Sequence, residues 1–172
     1  SNSGDGSCTV SPSETKGPFP IKTPSQLVLE NIKSDRVGIA LLINLKIENK
    51  NNNCEPLSGV LVDIWHCDKD GNYSEYGGTQ MQQTDYTSVH FLRGRQTSNA
   101  SGEVSFISIY PGWYQGRAPH VHVEVLSSTG ASLLVTQIAF PETISSQVYS
   151  STNYAAHGQA DTANTKDNVF AD

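Results

Sequence analysis

His120 and His122 stand one residue apart at the end of the run Tyr110-Pro111-Gly112-Trp113-Tyr114-Gln115-Gly116-Arg117-Ala118-Pro119. In an extended strand alternate side chains share a face, so both imidazoles point one way while Val121, Val123 and Val125 point the other. Two imidazoles side by side on a strand form a bidentate anchor for a metal ion. A His-x-His pair is common on polar surfaces. Here the valines mark the opposite face as core, and a Pro-Gly turn brings Tyr114 and Arg117 close.

The remaining donors narrow the choice of metal. Glu124 lies on the histidine face and is a rival third ligand, which would give a divalent-metal site built on His120, His122 and Glu124. Cysteines with zinc-site spacing are absent. Tyrosine is abundant, with seven in the chain, and Tyr73 and Tyr114 fall at turn ends. A phenol ionises near pH ~10, so it ligates well only when a highly charged cation stabilises the phenolate. Ferric iron meets that demand better than a divalent ion.

Other chemistries find no support. Asp68-x-Asp70 suggests calcium, but an EF-hand loop starting there would need Gly and Glu where Tyr73 and Thr79 stand. There is no Gly-x-Ser-x-Gly elbow and no phosphate-binding loop. The 17 acidic against 11 basic residues, net charge -6, argue against a nucleic-acid surface. No apolar run approaches the roughly 20 residues that span a bilayer. Asn72-Tyr73-Ser74 and Asn99-Ala100-Ser101 are glycosylation sequons, although a glycan on Asn72 would crowd a site that uses Tyr73.

Strands must position these residues. Ile39, Leu41, Ile43, Leu45 and Ile47 share one face of the stretch 37–48, and Val60, Val62 and Ile64 alternate in 60–66. The stretches 103–110, 120–126 and 133–140 complete at least five predicted strands. Turn chemistry separates them in Asp68-Lys69-Asp70-Gly71, Asn99-Ala100-Ser101-Gly102 and Ser127-Ser128-Thr129-Gly130. No segment carries a long helical period. The chain is therefore expected to be all-β, an antiparallel β-sandwich or barrel with irregular loops around the site. The tail from Ser145 onward, rich in Ser, Thr, Asn and Ala, reads as irregular.

Residues 1–14 read as a polar leader outside the fold, and 15–172 as a single domain. Cys8, Cys54 and Cys67 allow any pairing by count, including a Cys54–Cys67 bridge if the intervening loop doubles back. Few cysteines and a Ser/Asn/Thr-rich surface point to an exported protein: periplasmic, cell-surface or secreted.

Several motifs occur together in order. They are Pro56-Leu57-Ser58-Gly59, Val62-Asp63-Ile64-Trp65-His66 and Gly71-Asn72-Tyr73-Ser74; Leu92-Arg93-Gly94-Arg95 and Gly102-Glu103-Val104-Ser105-Phe106; then Pro111-Gly112-Trp113-Tyr114, Arg117-Ala118-Pro119-His120-Val121-His122 and Thr136-Gln137-Ile138. With Gly17-Pro18-Phe19 ahead of them, the set resembles the intradiol ring-cleavage dioxygenases, the group of catechol and protocatechuate dioxygenases. The resemblance, closest to a short exported branch, implies a sandwich of that type and one non-haem Fe(III) per chain. Tyr73, Tyr114, His120 and His122 would hold the iron, with Tyr110 the rival for the second tyrosine. Arg117 and Gln137 would stabilise charge on the bound substrate, and Trp113 would join them in binding it. The implied partners are a small aromatic diol and dioxygen, and the chain would assemble, if at all, with copies of itself. The implied reaction opens the ring between its two hydroxyl-bearing carbons to a muconate-type diacid. A transthyretin-like binding module on the same scaffold is the alternative from a different class.

Overall fold

The alternating stretches become strands. The computed structural model describes residues 8–170. Its strands are β1 (Ala40–Lys46), β2 (Glu48–Asn49), β3 (Glu55–Pro56), β4 (Leu61–Trp65), β5 (Arg93–Thr97), β6 (Glu103–Ile109), β7 (His120–Leu126) and β8 (Ser132–Ala139), followed by one α-helix, α1 (Glu142–Tyr149). An antiparallel sheet runs β5-β4-β7-β8, β1 pairs with β6, and β2 with β3 forms a short ribbon. Ile43, Val104 and Phe106 from the β1–β6 pair meet Val62, Ile64, Val121, Val123 and Val125 from the larger sheet in one buried cluster. The sheets pack face to face as a sandwich and do not close into a barrel. Each fully buried Val, Ile or Phe there contributes about 1.5–3 kcal/mol.

The structure adds strands to the five expected and corrects the readings of the tail, the disulfide and the leader. Strand β5 has no apolar alternation to reveal it. Its core-facing residue is Gly94, and a Cβ there would meet Ile32 at 2.4 Å, so Ile32 fills the place of a strand side chain. The tail expected to be irregular from Ser145 onward begins inside α1, which starts without a side-chain cap and buries Ser145, Val148 and Tyr149. Beyond α1, Tyr154 is buried too: its hydroxyl accepts from Ile39 N–H at 3.0 Å and donates to the Tyr110 carbonyl at 2.7 Å.

The disulfide joins Cys8 to Cys54, not Cys54 to Cys67. Cys67 is a free thiol buried beside Phe19, Trp65 and Tyr73, whereas Cys54 sits half-buried at the β2–β3 turn, where Cys8 reaches it. Residues 8–14, expected to lie outside the fold, are held to it by that bridge and by a hydrogen bond of 2.8 Å from Glu14 N–H to the Val135 carbonyl. The rest of the expected leader, 1–7, lies outside the described residues.

The bridge spans 46 residues of chain. Cross-linking a loop of that size removes unfolded-state entropy, so Cys8→Ser with Cys54→Ser is expected to cost about 2–4 kcal/mol. At about 2–4 °C per kcal/mol for a domain of this size, the melting temperature should fall by about 4–16 °C. Calorimetry of the parent with and without reductant checks this, since reduction should reproduce the double variant.

Candidate metal centre

Strand β7 is buried along its whole length. Its valines belong to the core between the sheets, which leaves His120, His122 and Glu124 on the outer face of the four-stranded sheet. That face is covered by residues 15–19 and 167–170. Gly17 lies directly over His122: a Cβ there would come within 2.9 Å of the imidazole Cε1, and its φ of +68° suits glycine. Phe19 packs on Tyr73, Tyr76 and Tyr114 with ring centroids 4.9, 5.2 and 6.5 Å away. One register row crosses the sheet as Arg93, Trp65, His122 and Gln137. Within it the Trp65 and His122 rings stack at 5.1 Å and 2°.

Two loops bring the tyrosines to this face. Asp68 accepts hydrogen bonds of 3.0 Å from Asp70 N–H and Asn72 N–H, folding the turn before Tyr73. The Gln82 side chain then clamps the Tyr73 backbone, accepting from its N–H and donating to its carbonyl, each at 2.7 Å. Gly112 N–H donates to the Asp68 carbonyl at 2.9 Å, and a Cβ at Gly112 would lie 2.5 Å from the Lys69 carbonyl oxygen. Only glycine permits that approach, which docks the Tyr114 loop onto the Tyr73 loop. Their rings meet edge to face at 5.9 Å.

The polar atoms converge. His120 Nε2 lies 3.1 Å from His122 Nε2, 3.3 Å from Tyr73 Oη and 3.5 Å from Arg117 Nη1. Arg117 Nη1 also donates to Tyr114 Oη at 3.2 Å. His120 Nδ1 stands 2.7 Å from the Ala118 carbonyl, which can only accept, so the proton sits on Nδ1 and Nε2 presents a lone pair. A fixed outer hydrogen bond of this kind orients a metal-binding imidazole. Two nitrogen ligands about 2.1 Å from one ion, set roughly at right angles, stand about 3 Å apart, as these two do.

Electrostatics agree. Burial pushes His120 down to about 4, with the Arg117 charge adding to it, and burial together with the His120 and Arg117 charges holds His122 well below the ordinary imidazole range. Both rings are therefore neutral donors at physiological pH. Burial raises Tyr73 well above the ordinary phenol range. It also raises Tyr114, against the opposing pull of Arg117. Neither phenol ionises in this pocket unaided, so the donor set fits a cation charged enough to force them. Ferric iron satisfies that demand.

Of the other expected residues, Gln137 accepts from Arg117 Nη2 at 2.6 Å and donates to the Thr15 carbonyl at 2.8 Å. Trp113 turns to the tail: its indole N–H donates to the Gly158 carbonyl at 3.1 Å and its ring stacks on His157 at 4.3 Å. Tyr110, the rival tyrosine, is bound to Ser145 and packs with Tyr149 and Tyr154. Glu124 takes Ser132 Oγ at 2.8 Å and Lys16 Nζ at 3.3 Å. Among the described residues one group of three His, Cys, Asp or Glu brings its ligand atoms together, Cys8, Glu48 and Cys54, and its sulfurs are already joined to each other. His120, His122 and Glu124 form no such group. Asp167 was not singled out from the sequence. It is fully buried and accepts from Arg117 Nε at 2.8 Å. Burial raises its pKa, but hydrogen bonds from Arg117, Ala118 and Val169 outweigh that and hold it below the ordinary range. Nothing in a tail rich in small polar residues distinguished this acid.

Comparison with known proteins places the chain as a whole. The family model described as Dioxygenase matches residues 21–168. Chlorocatechol 1,2-dioxygenase of Rhodococcus opacus is 28% identical, over 49% of this chain and 38% of that protein. The chain thus spans little more than a third of the length of that curated relative. Among solved structures, an intradiol ring-cleavage dioxygenase from Tetranychus urticae superposes with a TM-score of 0.85 at 32% identity, covering 95% of this chain and 81% of the other. The dioxygenase domain of a carbohydrate-binding fusion protein from Streptomyces sp. SirexAA-E gives 0.64 at 27% identity, covering 92% and 81%.

Proposed function

The chain belongs to the intradiol ring-cleavage dioxygenase family. From that premise we propose that it is a non-haem ferric enzyme that cleaves a catechol-type ring with dioxygen, between the two hydroxyl-bearing carbons, to a muconate-type diacid. The observation that carries the reading is the meeting of His120, His122 and Tyr73 at one buried point, with Tyr114 joined to it through Arg117 and Gln137 beside Arg117.

When bound, ferric iron supplies a Lewis acid and an electron acceptor for the diol oxygens and the ring. The protein's residues do the rest. His120 and His122 hold the site as neutral donors, and Tyr73, enclosed by Phe19 and Trp65, stays in place as a buried phenolate. Tyr114 is the less buried of the two phenols and already takes a hydrogen bond from Arg117, so it is the group that yields to substrate. With iron bound, its Oη would be the base that takes up one of the diol protons. Arg117 and Gln137 then face the developing negative charge on substrate oxygen with their orientation already fixed. Phe19 shields the tyrosines from water. No helix among the described residues is long and apolar enough to cross a membrane. The Cys8–Cys54 bridge supports the reading that the protein is exported to an oxidising compartment.

The test is a visible absorption spectrum of iron-loaded protein before and after anaerobic catechol. The expected result is a broad tyrosinate-to-iron band that moves to longer wavelength with catechol and bleaches when oxygen enters. A colourless protein carrying stoichiometric iron would refute the two-tyrosine site.

A further inference from the structure

Asp167 uses both carboxylate oxygens fully. Oδ2 accepts from Arg117 Nε at 2.8 Å and from Ala118 N–H at 2.7 Å, while Oδ1 accepts from Val169 N–H at 2.8 Å and Phe170 N–H at 3.3 Å. Its side chain has no exposed surface. The first pair of bonds acts on the site and the second on the tail, so one carboxylate ties the C-terminal segment to the metal centre.

The consequence for Arg117 is geometric. A guanidinium is a rigid planar fork, so fixing two of its nitrogens fixes the third. Asp167 holds Nε and Gln137 holds Nη2, which leaves Nη1 aimed at Tyr114 Oη and His120 Nε2. Ala118 is a second route. Its N–H is held by Asp167 while its carbonyl, one peptide unit on, holds His120 Nδ1, so the same oxygen anchors the residue whose carbonyl orients the imidazole. The Phe170 ring lies 5.7 Å from the Arg117 guanidinium carbon and 6.4 Å from the His120 ring, which places the tail against both.

We infer that Asp167 is the positioning residue of this site, aiming the Arg117 guanidinium at the substrate-bearing side of the centre and steadying His120 through Ala118. The inference rests on the dioxygenase reading, because a stationed Arg117 matters only if negative charge develops beside it.

The test uses iron-loaded full-length protein with Asp167→Ala, Asp167→Asn, Arg117→Ala and the double variant Arg117→Ala with Asp167→Ala. Iron content, catechol affinity from the anaerobic spectral shift, and kcat and KM are read for each. Loss of such an outer partner typically costs about 10- to 100-fold in activity. Asp167→Ala is therefore expected to lower kcat by that factor with KM little changed. In the Arg117→Ala background the same change should cost clearly less than in the parent, because only the route through Ala118 is left to lose and residues that act as one unit are not additive. Asp167→Asn, which keeps the side-chain shape, is read the same way and serves if the alanine form does not fold. Losses that multiply in the double variant, or an Asp167 variant as active as the parent, would overturn the assignment while leaving the dioxygenase reading intact. A parent protein that takes up no iron, or whose band ignores catechol, would overturn both.

Discussion

Tyr73→Phe is expected to strip the protein of ferric iron while leaving its fold in place. The substitution removes one oxygen and preserves the ring that packs against Phe19 at 4.9 Å and Tyr114 at 5.9 Å. That oxygen's hydrogen bond within the domain is a long one, 3.3 Å to His120 Nε2. Without metal, burial keeps the phenol protonated, so no charge is lost. The apo proteins should therefore differ in stability by no more than about 1 kcal/mol. Iron reverses the comparison. Outer partners of a metal ligand alone cost about 10- to 100-fold in affinity when removed, so deleting a ligand atom should cost at least as much. Because bound metal stabilises the folded state by mass action, iron should raise the parent's melting temperature and leave that of Tyr73→Phe nearly unmoved. Metal analysis after dialysis and paired melts check both halves. A phenylalanine variant that retains full iron and its visible band would remove Tyr73 from the ligand set.

The legibility of this site in the sequence follows from which interactions are local. The His120–Val121–His122–Val123 alternation declares a strand with one core face and one chemical face, and β7 has the expected limits. The demand for a strongly charged cation was also readable, because neutral histidines and phenols offer no anionic ligand without one. The pairing of Tyr73 with Tyr114 was not, since 41 positions separate them and a contact at Gly112 brings their loops together. There the resemblance supplied what spacing does not encode. Strand β5 was hidden because a residue from outside the strand, Ile32, covers its glycine. Cys8 and Cys54 could not be paired by counting, for their proximity depends on the first described residues folding back along the sandwich. Asp167 is the clearest case: its four hydrogen bonds reach backbone and guanidinium groups, and such partners leave no periodic trace in composition.

Arg117→Ala is expected to divide turnover from metal binding. Arg117 carries no lone pair and cannot ligate, so the four donor atoms survive its removal. Asp167 loses one hydrogen bond but keeps three backbone N–H partners, from Ala118, Val169 and Phe170, and so remains satisfied. Iron content should therefore stay near that of the parent. What disappears is a fixed positive charge 3.2 Å from Tyr114 Oη and linked to Gln137 at 2.6 Å. Removing one preorganised donor from a site of developing charge typically lowers kcat by about 10²–10³. Arg117 also opposes the burial that keeps Tyr114 protonated, so without it the Tyr114 phenolate is harder to form. The tyrosinate band should weaken in the resting protein even where iron is retained. Arg117→Lys should restore only part of the rate, because an ammonium supplies charge but cannot hold Asp167, Gln137 and Tyr114 in one plane. Steady-state kinetics alongside metal analysis decides the matter. A fall in kcat at constant iron assigns Arg117 to the chemistry, whereas parallel loss of iron and rate would make it a structural prop for His120.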